Sequence, residues 1–125
     1  MSPQEKRRTR RYPFHWPVIV VPDGGQSSYR AGTHEISIHG CSVLTDENLK
    51  LTRPARLFIA LPPETAGAPR TVVAIEARLV YTVLSASQGK FRSGFEFIDF
   101  KEDGRGILKH AIDVRAISSV GRDAD

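Results

Sequence analysis

At 125 residues, 40% of them hydrophobic, the chain has the size and apolar content of one globular domain and cannot be disordered throughout. Its single cysteine, Cys41, excludes an internal disulfide, and no apolar run approaches the roughly 20 residues that span a bilayer. The formal charge of +4 is concentrated, because five of the 18 Lys and Arg residues lie between Lys6 and Arg11.

The first element is a basic N-terminal arm, predicted over residues 1–14, that contains Lys6-Arg7-Arg8-Thr9-Arg10-Arg11. Positive charge gathered before the first strand is typical of a segment that captures an anion, although solvated, disordered arms share this composition. In an extended arm, Arg7 and Arg11 lie about 13 Å apart on one side, which suits a ligand with two separated anionic or purine groups. Arg8 and Arg10 face away, toward solvent or a second face of the ligand.

Six strands and one helix are predicted after the arm. Runs of β-branched and aromatic residues bounded by Pro and Gly turns predict strands. In the longest run, every second residue from Val73 to Val83 is apolar or aromatic, Tyr81 included, which predicts one core-facing side. The predicted strands cover residues 15–21, 29–36, 38–45, 55–61, 71–84 and 91–98.

The hydrophobic period changes to that of a helix after the last strand. Asp99 and Glu102 have the spacing of a capping box. The residues that recur at helical spacing, and that we expect to face the core, are Ile107, Leu108, Ala111, Ile112 and Arg115. We therefore predict a mainly β fold, a small antiparallel six-stranded β-barrel with a C-terminal α-helix over residues 15–115, and a disordered tail over 116–125.

A second motif, acid-x-Ser-x-x-Gly, joins the second and third strands as Glu35-Ile36-Ser37-Ile38-His39-Gly40. The Ser37 hydroxyl can donate to a phosphate oxygen, and Gly40 permits a tight turn or a close approach of the backbone. The Glu35 carboxylate can accept hydrogen bonds from guanine N1–H and N2–H₂, while arginine binds phosphate or the guanine O6/N7 edge. The acid-x-Ser-x-x-Gly string alone is a weak signal, since Ser and Gly are common in turns, but together with the arginines it describes a site for a guanine-and-phosphate ligand.

Catalytic and metal motifs are not found. The sequence has no Gly-x-Ser-x-Gly elbow and no Walker loop, so we predict no catalytic residues and no enzyme. His39 and Cys41 have a spacing that could offer two metal ligands, but further ligands are lacking, so no metal is predicted and Cys41 is expected to pack in the core. Tyr12, Phe14 and Trp16 recur at period two, which favours packing over base stacking.

At these residues the chain resembles the PilZ domain family, bacterial receptors for the second messenger cyclic di-GMP. The family signature is Arg-x-x-x-Arg on an N-terminal segment, matched by Arg7 and Arg11, followed by Asp/Asn-x-Ser-x-x-Gly. The second motif is matched by Ser37 and Gly40, with Glu35 in place of Asp or Asn. Residues 94–99 are similar to the closing strand of the family, and the likeness covers residues 5–115.

The resemblance implies a stand-alone split β-barrel that binds cyclic di-GMP, without another cofactor, and signals to an unidentified downstream protein when the arm folds over the ligand. The implied ligand-binding residues are Arg7, Arg8, Arg11, Glu35, Ser37 and Gly40. The extra methylene of Glu35 displaces the carboxylate by about 1.5 Å, so weaker binding than in the family is expected.

Two other functions stay open. A degenerate PilZ domain without nucleotide binding could act as a protein-interaction adaptor, which the Glu35 departure motivates. A nucleic-acid-binding barrel is disfavoured because the body of the chain is nearly neutral. We expect a cytoplasmic protein, since no secretory signal precedes the arginines, without membrane insertion. The oligomeric state is open, with a homodimer as one option.

Overall fold

The computed structural model describes residues 10–24, 27–87 and 89–123. Each predicted strand segment forms a strand there, with boundaries that differ from the predicted ones by at most two residues, because the Pro and Gly turns delimit them well. The strands are β1 Pro17–Pro22, β2 Tyr29–Ile36, β3 Gly40–Thr45, β4 Ala55–Ala60, β5 Val72–Ser85 and β6 Lys90–Phe100, and the helix is α1 Gly104–Asp123.

The strands close into one antiparallel barrel in the order β1-β2-β3-β6-β5-β4. Every neighbouring pair is antiparallel, and β1 pairs with both β2 and β4, so the sheet leaves no free edge. The prediction of a small six-stranded barrel with a C-terminal helix is confirmed.

The core fills the barrel interior with the apolar residues that alternate along each strand. Fully buried examples from three different strands are Val20, Leu57 and Ile75, with 0% exposure. Removing such side chains from water supplies the main driving force for folding. Cys41, 7% exposed, belongs to the same cluster, as predicted for a small core residue.

The strand register shifts at three places in the barrel, and the β-bulges in β2 and in the middle of β5 reverse the alternation of buried and exposed residues. In β2, Thr33 pairs with Val43 but Glu35 pairs with the adjacent Ser42, so His34 is the extra residue. A bulge of this kind turns the following residues to the opposite face.

The second bulge corrects the prediction for the longest strand. Leu79 pairs with Phe95 and Tyr81 with the adjacent Gly94, so Val80 is the extra residue in β5. Tyr81 is therefore 40% exposed and Val83 42% exposed, whereas the sequence alternation predicts both in the core. The inward position after the bulge is taken by Thr82, whose Oγ1 lies 3.1 Å from Ser93 Oγ.

The helix covers the barrel beside β5 through a narrower face than predicted. Leu108 and Ile112 are buried, but Ile107 is 39% exposed and Arg115 is exposed, so neither belongs to the covering face. The helix continues to Asp123, so residues 116–123 are helical beyond the predicted end at 115. Within the described residues, no helix combines the length and the apolar character that crossing a membrane requires.

The capping box predicted at Asp99 and Glu102 is wrong. Asp99 is still part of β6, where it pairs with Glu76, and Glu102 has a positive φ of 52° in the turn that follows. The helix begins later, where Ile107 N donates to Asp103 O at 3.1 Å. Strand pairing therefore continues past the residues that resemble a cap in sequence.

Candidate ligand-binding site

The described end of the arm is fixed to β2 beside the second motif. Tyr12 N donates to Ile36 O and Ile36 N donates to Tyr12 O, both at 2.9 Å, which makes an isolated antiparallel bridge. Ile36 lies between Glu35 and Ser37 in sequence. The bridge therefore brings Arg11, the residue before Tyr12, next to both of them.

The aromatic residues at period two hold this segment against the barrel. The ring centroids of Tyr12 and Phe14 are 5.2 Å apart, those of Phe14 and Trp16 are 5.4 Å apart, and both pairs are stacked. The buried Thr33 Oγ1 accepts from Trp16 N at 2.7 Å and donates to Phe14 O at 2.5 Å. The sequence-based prediction that these aromatic residues pack against the barrel is confirmed, since all three rings contact the core.

The turn between β2 and β3 is held by Ser37 and depends on Gly40. Ser37 N donates to Gly40 O at 2.9 Å, and Ser37 Oγ accepts from His39 N at 3.1 Å. A Cβ on Gly40 would overlap Phe95 O and lie 3.4 Å from its carbonyl carbon. The close backbone approach predicted at Gly40 is therefore present, and no larger residue fits there without a backbone shift.

A cleft of about 270 Å³ opens on the outer surface of the barrel beside this turn. Four of the six predicted ligand-binding residues line it, namely Arg11, Glu35, Ser37 and Gly40. Arg7 and Arg8 lie outside the described residues. The other lining residues are His39, Cys41, Ser42, Val80, Tyr81, Gly94, Phe95 and Glu96.

The charged groups of the cleft differ in whether they are already paired. The Glu96 carboxylate forms an ion pair with Arg78. The Arg11 side chain is exposed and Glu35 is half-buried, and in the part of the chain that the structure describes neither side chain has an ion-pair or hydrogen-bond partner. Among the described residues, the cleft thus presents one guanidinium and one carboxylate without a partner.

Cys41 forms part of the cleft floor as a neutral thiol. Burial raises the pKa of this thiol from 9.0 to about 12, because the thiolate would lose its hydration. A thiol that stays protonated is a poor metal ligand and a poor nucleophile. Among the described residues, no group of three or more His, Cys, Asp or Glu could hold a metal ion.

Sequence reasoning did not find Ser42, Tyr81 and Gly94 as site residues. Glu35 pairs with Ser42, Ser42 with Gly94, and Gly94 with Tyr81, so these four residues form one row across four strands. We call them the outer row. The bulges at His34 and Val80 are what place its two end residues on the outer face, and no simple sequence pattern marks either bulge.

The chain matches the PilZ domain over residues 5–113. It belongs to the PilZ domain family. A search of curated proteins gave no match.

Solved structures of PilZ proteins share the fold at low sequence identity. The inhibitor of motility MotI/DgrA of Bacillus subtilis superposes with a TM-score of 0.74 at 20% identity, over 94% of this chain and 57% of that one. The PilZ domain of Escherichia coli YcgR with c-di-GMP gives 0.56 at 13% identity, over 94% of this chain and 98% of that one. The MrkH–c-di-GMP complex of K. pneumonia superposes with a TM-score of 0.56 at 18% identity, over 90% of this chain and 53% of that one. The chain thus spans little more than half of MotI/DgrA and of MrkH.

Proposed function

We propose that this PilZ protein is a receptor for cyclic di-GMP, a binding module and not an enzyme. The observation that carries the proposal is the convergence of Arg11, Glu35, Ser37 and Gly40 on one cleft. These residues come from two motifs that are separated by more than twenty residues in sequence. Their proximity depends on the bridge between Tyr12 and Ile36.

Each group matches a feature of a guanine dinucleotide. The Arg11 guanidinium can bind a phosphate or the O6/N7 edge of guanine through two hydrogen bonds. The Glu35 carboxylate can accept hydrogen bonds from guanine N1–H and N2–H₂. The Ser37 proton is only loosely engaged, with Gly40 O at 3.4 Å, so it can turn toward a phosphate oxygen.

The PilZ structures of YcgR and MrkH contain c-di-GMP, which supports the same ligand class for this chain. We further infer that Arg7 and Arg8 complete the site when the arm closes over the ligand. Closure would change the surface offered to a downstream protein, and the ligand shifts this equilibrium only by its preference for the closed state.

Isothermal titration calorimetry with cyclic di-GMP, and with cyclic di-AMP as the control ligand, tests the proposal. We expect selective binding of cyclic di-GMP, reduced more than tenfold in Arg11→Ala and in Arg7→Ala. Arg10→Ala is the matched control. It removes the same charge one residue from Arg11, but the Arg10 guanidinium lies over the Tyr12 ring, 5.3 Å from its centroid, and does not line the cleft. Equal affinity in all four proteins would rule out the arginine contacts.

Glu35 motivates the second function, a PilZ adaptor that binds a protein but no nucleotide. Glu35→Asp should tighten binding if the longer side chain only misplaces the carboxylate, whereas weaker binding would show that Glu35 has a geometry of its own. The absence of heat with micromolar cyclic di-GMP for both the wild type and Glu35→Asp, together with a stable protein partner in pull-down, would favour the adaptor.

A further inference from the structure

Two histidines lie side by side on the outer surface of the barrel, where the segment before β1 meets β2. Trp16 O accepts from Thr33 N at 2.9 Å, which makes these two residues neighbours across the strands. His15 precedes Trp16 and His34 follows Thr33, so the same antiparallel register places the two histidines opposite each other. Their ring centroids are 6.4 Å apart.

The neighbours of His15 turn its side chain outward. Phe14 packs against the core and Trp16 is 6% exposed, so the residue between them points away from the core on an extended segment. His15 is accordingly exposed, and its Nδ1 lies 3.1 Å from Thr33 O. Because a carbonyl oxygen only accepts, the neutral ring donates from Nδ1 and keeps its lone pair on Nε2. Histidines that bind metal ions are commonly oriented by such a bond to a backbone carbonyl.

The bulge in β2 brings His34 to the same surface. Thr33 and Ile36 are buried at 1% and 0% exposure, and the bulge places both His34 and Glu35 between these two inward-facing residues. Among the described residues, the buried His34 Nδ1 has no hydrogen-bond partner. Buried polar atoms are nearly always satisfied, and a metal ion bonded to this nitrogen would satisfy it.

The spacing of the rings is close to that of two imidazoles on one metal ion. With a metal–nitrogen bond of about 2.1 Å, the ion lies about 3.2 Å from each centroid, so the centroids are about 5 Å apart in a tetrahedral site. The observed 6.4 Å exceeds that spacing by about 1 Å. A small rotation of the exposed His15 side chain closes this difference, and exposed side chains make such rotations readily.

We propose that His15 and His34 form a site for a divalent transition-metal ion such as Zn²⁺ or Cu²⁺, with water in the remaining positions. Imidazole suits both ions, whereas Mg²⁺ and Ca²⁺ take oxygen ligands. The described residues offer no group of three ligands, so the site binds more weakly than a structural zinc site with four protein ligands. The bound ion links the segment that follows the arginines to β2, and it does so whether or not the cleft binds a nucleotide.

Calorimetry with Zn²⁺ and the full chain, in a buffer that does not bind metal, tests the proposal. We expect one ion per chain, bound on the order of a hundredfold more weakly by His15→Ala and by His34→Ala, because the second imidazole acts at high effective concentration. The chain has four histidines, so the double variant His39→Ala/His110→Ala is the matched control. It removes as many imidazoles as His15→Ala/His34→Ala but leaves the pair intact, and it should bind as the wild type.

Two further readouts do not depend on how the variants fold. In NMR spectra of the wild type, Zn²⁺ should shift the ring protons of His15 and His34 and leave those of His39 and His110 in place. Zn²⁺ should also raise the melting temperature of the wild type, since the two rings are adjacent only in the folded chain. Acidification should weaken binding, because a protonated imidazole has no lone pair for the metal.

The outcomes separate this inference from the proposed function. Binding that is lost in His15→Ala/His34→Ala and kept in His39→Ala/His110→Ala supports the site. Equal binding by both double variants, or shifts confined to His39 and His110, would place the metal elsewhere and overturn it, as would the absence of binding at millimolar Zn²⁺. Titration of cyclic di-GMP without metal tests the receptor function independently, so either proposal can fail alone.

Discussion

Adjacent rows of the same strands are used in opposite ways. The inner row Ile36, Cys41 and Phe95 pairs directly across β2, β3 and β6, and its members are buried at 0%, 7% and 4% exposure. One residue away, the outer row combines the backbone of Gly94 with a carboxylate and a hydroxyl that have no partner among the described residues. The inner row stabilises the barrel by excluding water. The outer row makes less use of packing and hydrogen bonding, and it leaves a cleft.

The largest expected difference between the rows concerns the reactivity of Cys41, the inner-row residue that also borders the cleft. At pH 8, a pKa of about 12 in place of 9.0 lowers the thiolate fraction about a thousandfold. We therefore expect iodoacetamide to modify native Cys41 far more slowly, by a factor on the order of a thousand, than the unfolded chain in denaturant. Mass spectrometry over a time course measures both rates.

A Tyr81→Cys variant in the Cys41→Ala background provides the comparison for the outer row. Tyr81 is 40% exposed and lines the cleft, so a thiol at this position stays hydrated and should react faster than Cys41, and ligand should protect it. Equal rates at the two positions would mean that the inner row is open to the cleft and would break the distinction.

The next largest effect is expected at the point where the two rows meet the β2–β3 turn. Gly40→Ala forces a Cβ into Phe95 O, so we expect a loss of about 3 kcal/mol in the free energy of unfolding, measured by urea denaturation. Gly106→Ala is the matched control. No atom lies within 4 Å of the added Cβ at that helical position, so a gain of about 0.5–1 kcal/mol is expected. Similar values for the two variants would contradict the close approach.

The core residues of the strands could be predicted from the sequence, because hydrophobic alternation marks the side of each strand that faces the core and turn residues mark where the strands end. Val18, Val20 and Leu57 alternate as expected and are buried at 1%, 0% and 0% exposure. The alternation fails where one residue is inserted in a strand, as at Val80, because the bulge depends on pairing with a distant strand. The same limit explains the error at Asp99, whose pairing with Glu76 continues β6 past a cap-like pattern.

The outer row was only partly accessible to sequence reasoning. Glu35 was found through its motif, and the structure brings it together with Arg11, Ser37 and Gly40. Ser42 and Tyr81 carry no motif, and their place in the cleft follows from strand register and from Gly94. A motif therefore identifies the end of the site that lies on one turn, but not the end assembled from three strands.

A smaller loss of stability is expected when the hydroxyl of Thr33 is removed. This hydroxyl faces the barrel interior and is hydrogen-bonded, in contrast to that of Ser42. Thr33 is 1% exposed, and its Oγ1 bonds both Trp16 N and Phe14 O. Thr33→Val keeps the shape but leaves two backbone groups without that partner, so we expect thermal or urea unfolding to show a loss of about 2 kcal/mol. Ser42→Ala should show no loss, and a reversed order of the two variants would invalidate the contrast between satisfied and unsatisfied hydroxyls.

The smallest effect on stability is expected for the ion pair that flanks the outer row. The side chains of Arg78 and Glu96 are 61% and 53% exposed, and a pair this exposed contributes at most about 1 kcal/mol. Arg78→Met should therefore leave the unfolding free energy almost unchanged. The variant frees the Glu96 carboxylate at the rim of the cleft, where it repels phosphate, so calorimetry at low salt should show about threefold weaker binding of cyclic di-GMP. The double variant Arg78→Met/Glu96→Gln should restore affinity, since it removes the unpaired charge. If the double variant does not restore affinity, Arg78 itself contacts the ligand. The binding surface then extends beyond the cleft to Arg78 on β5.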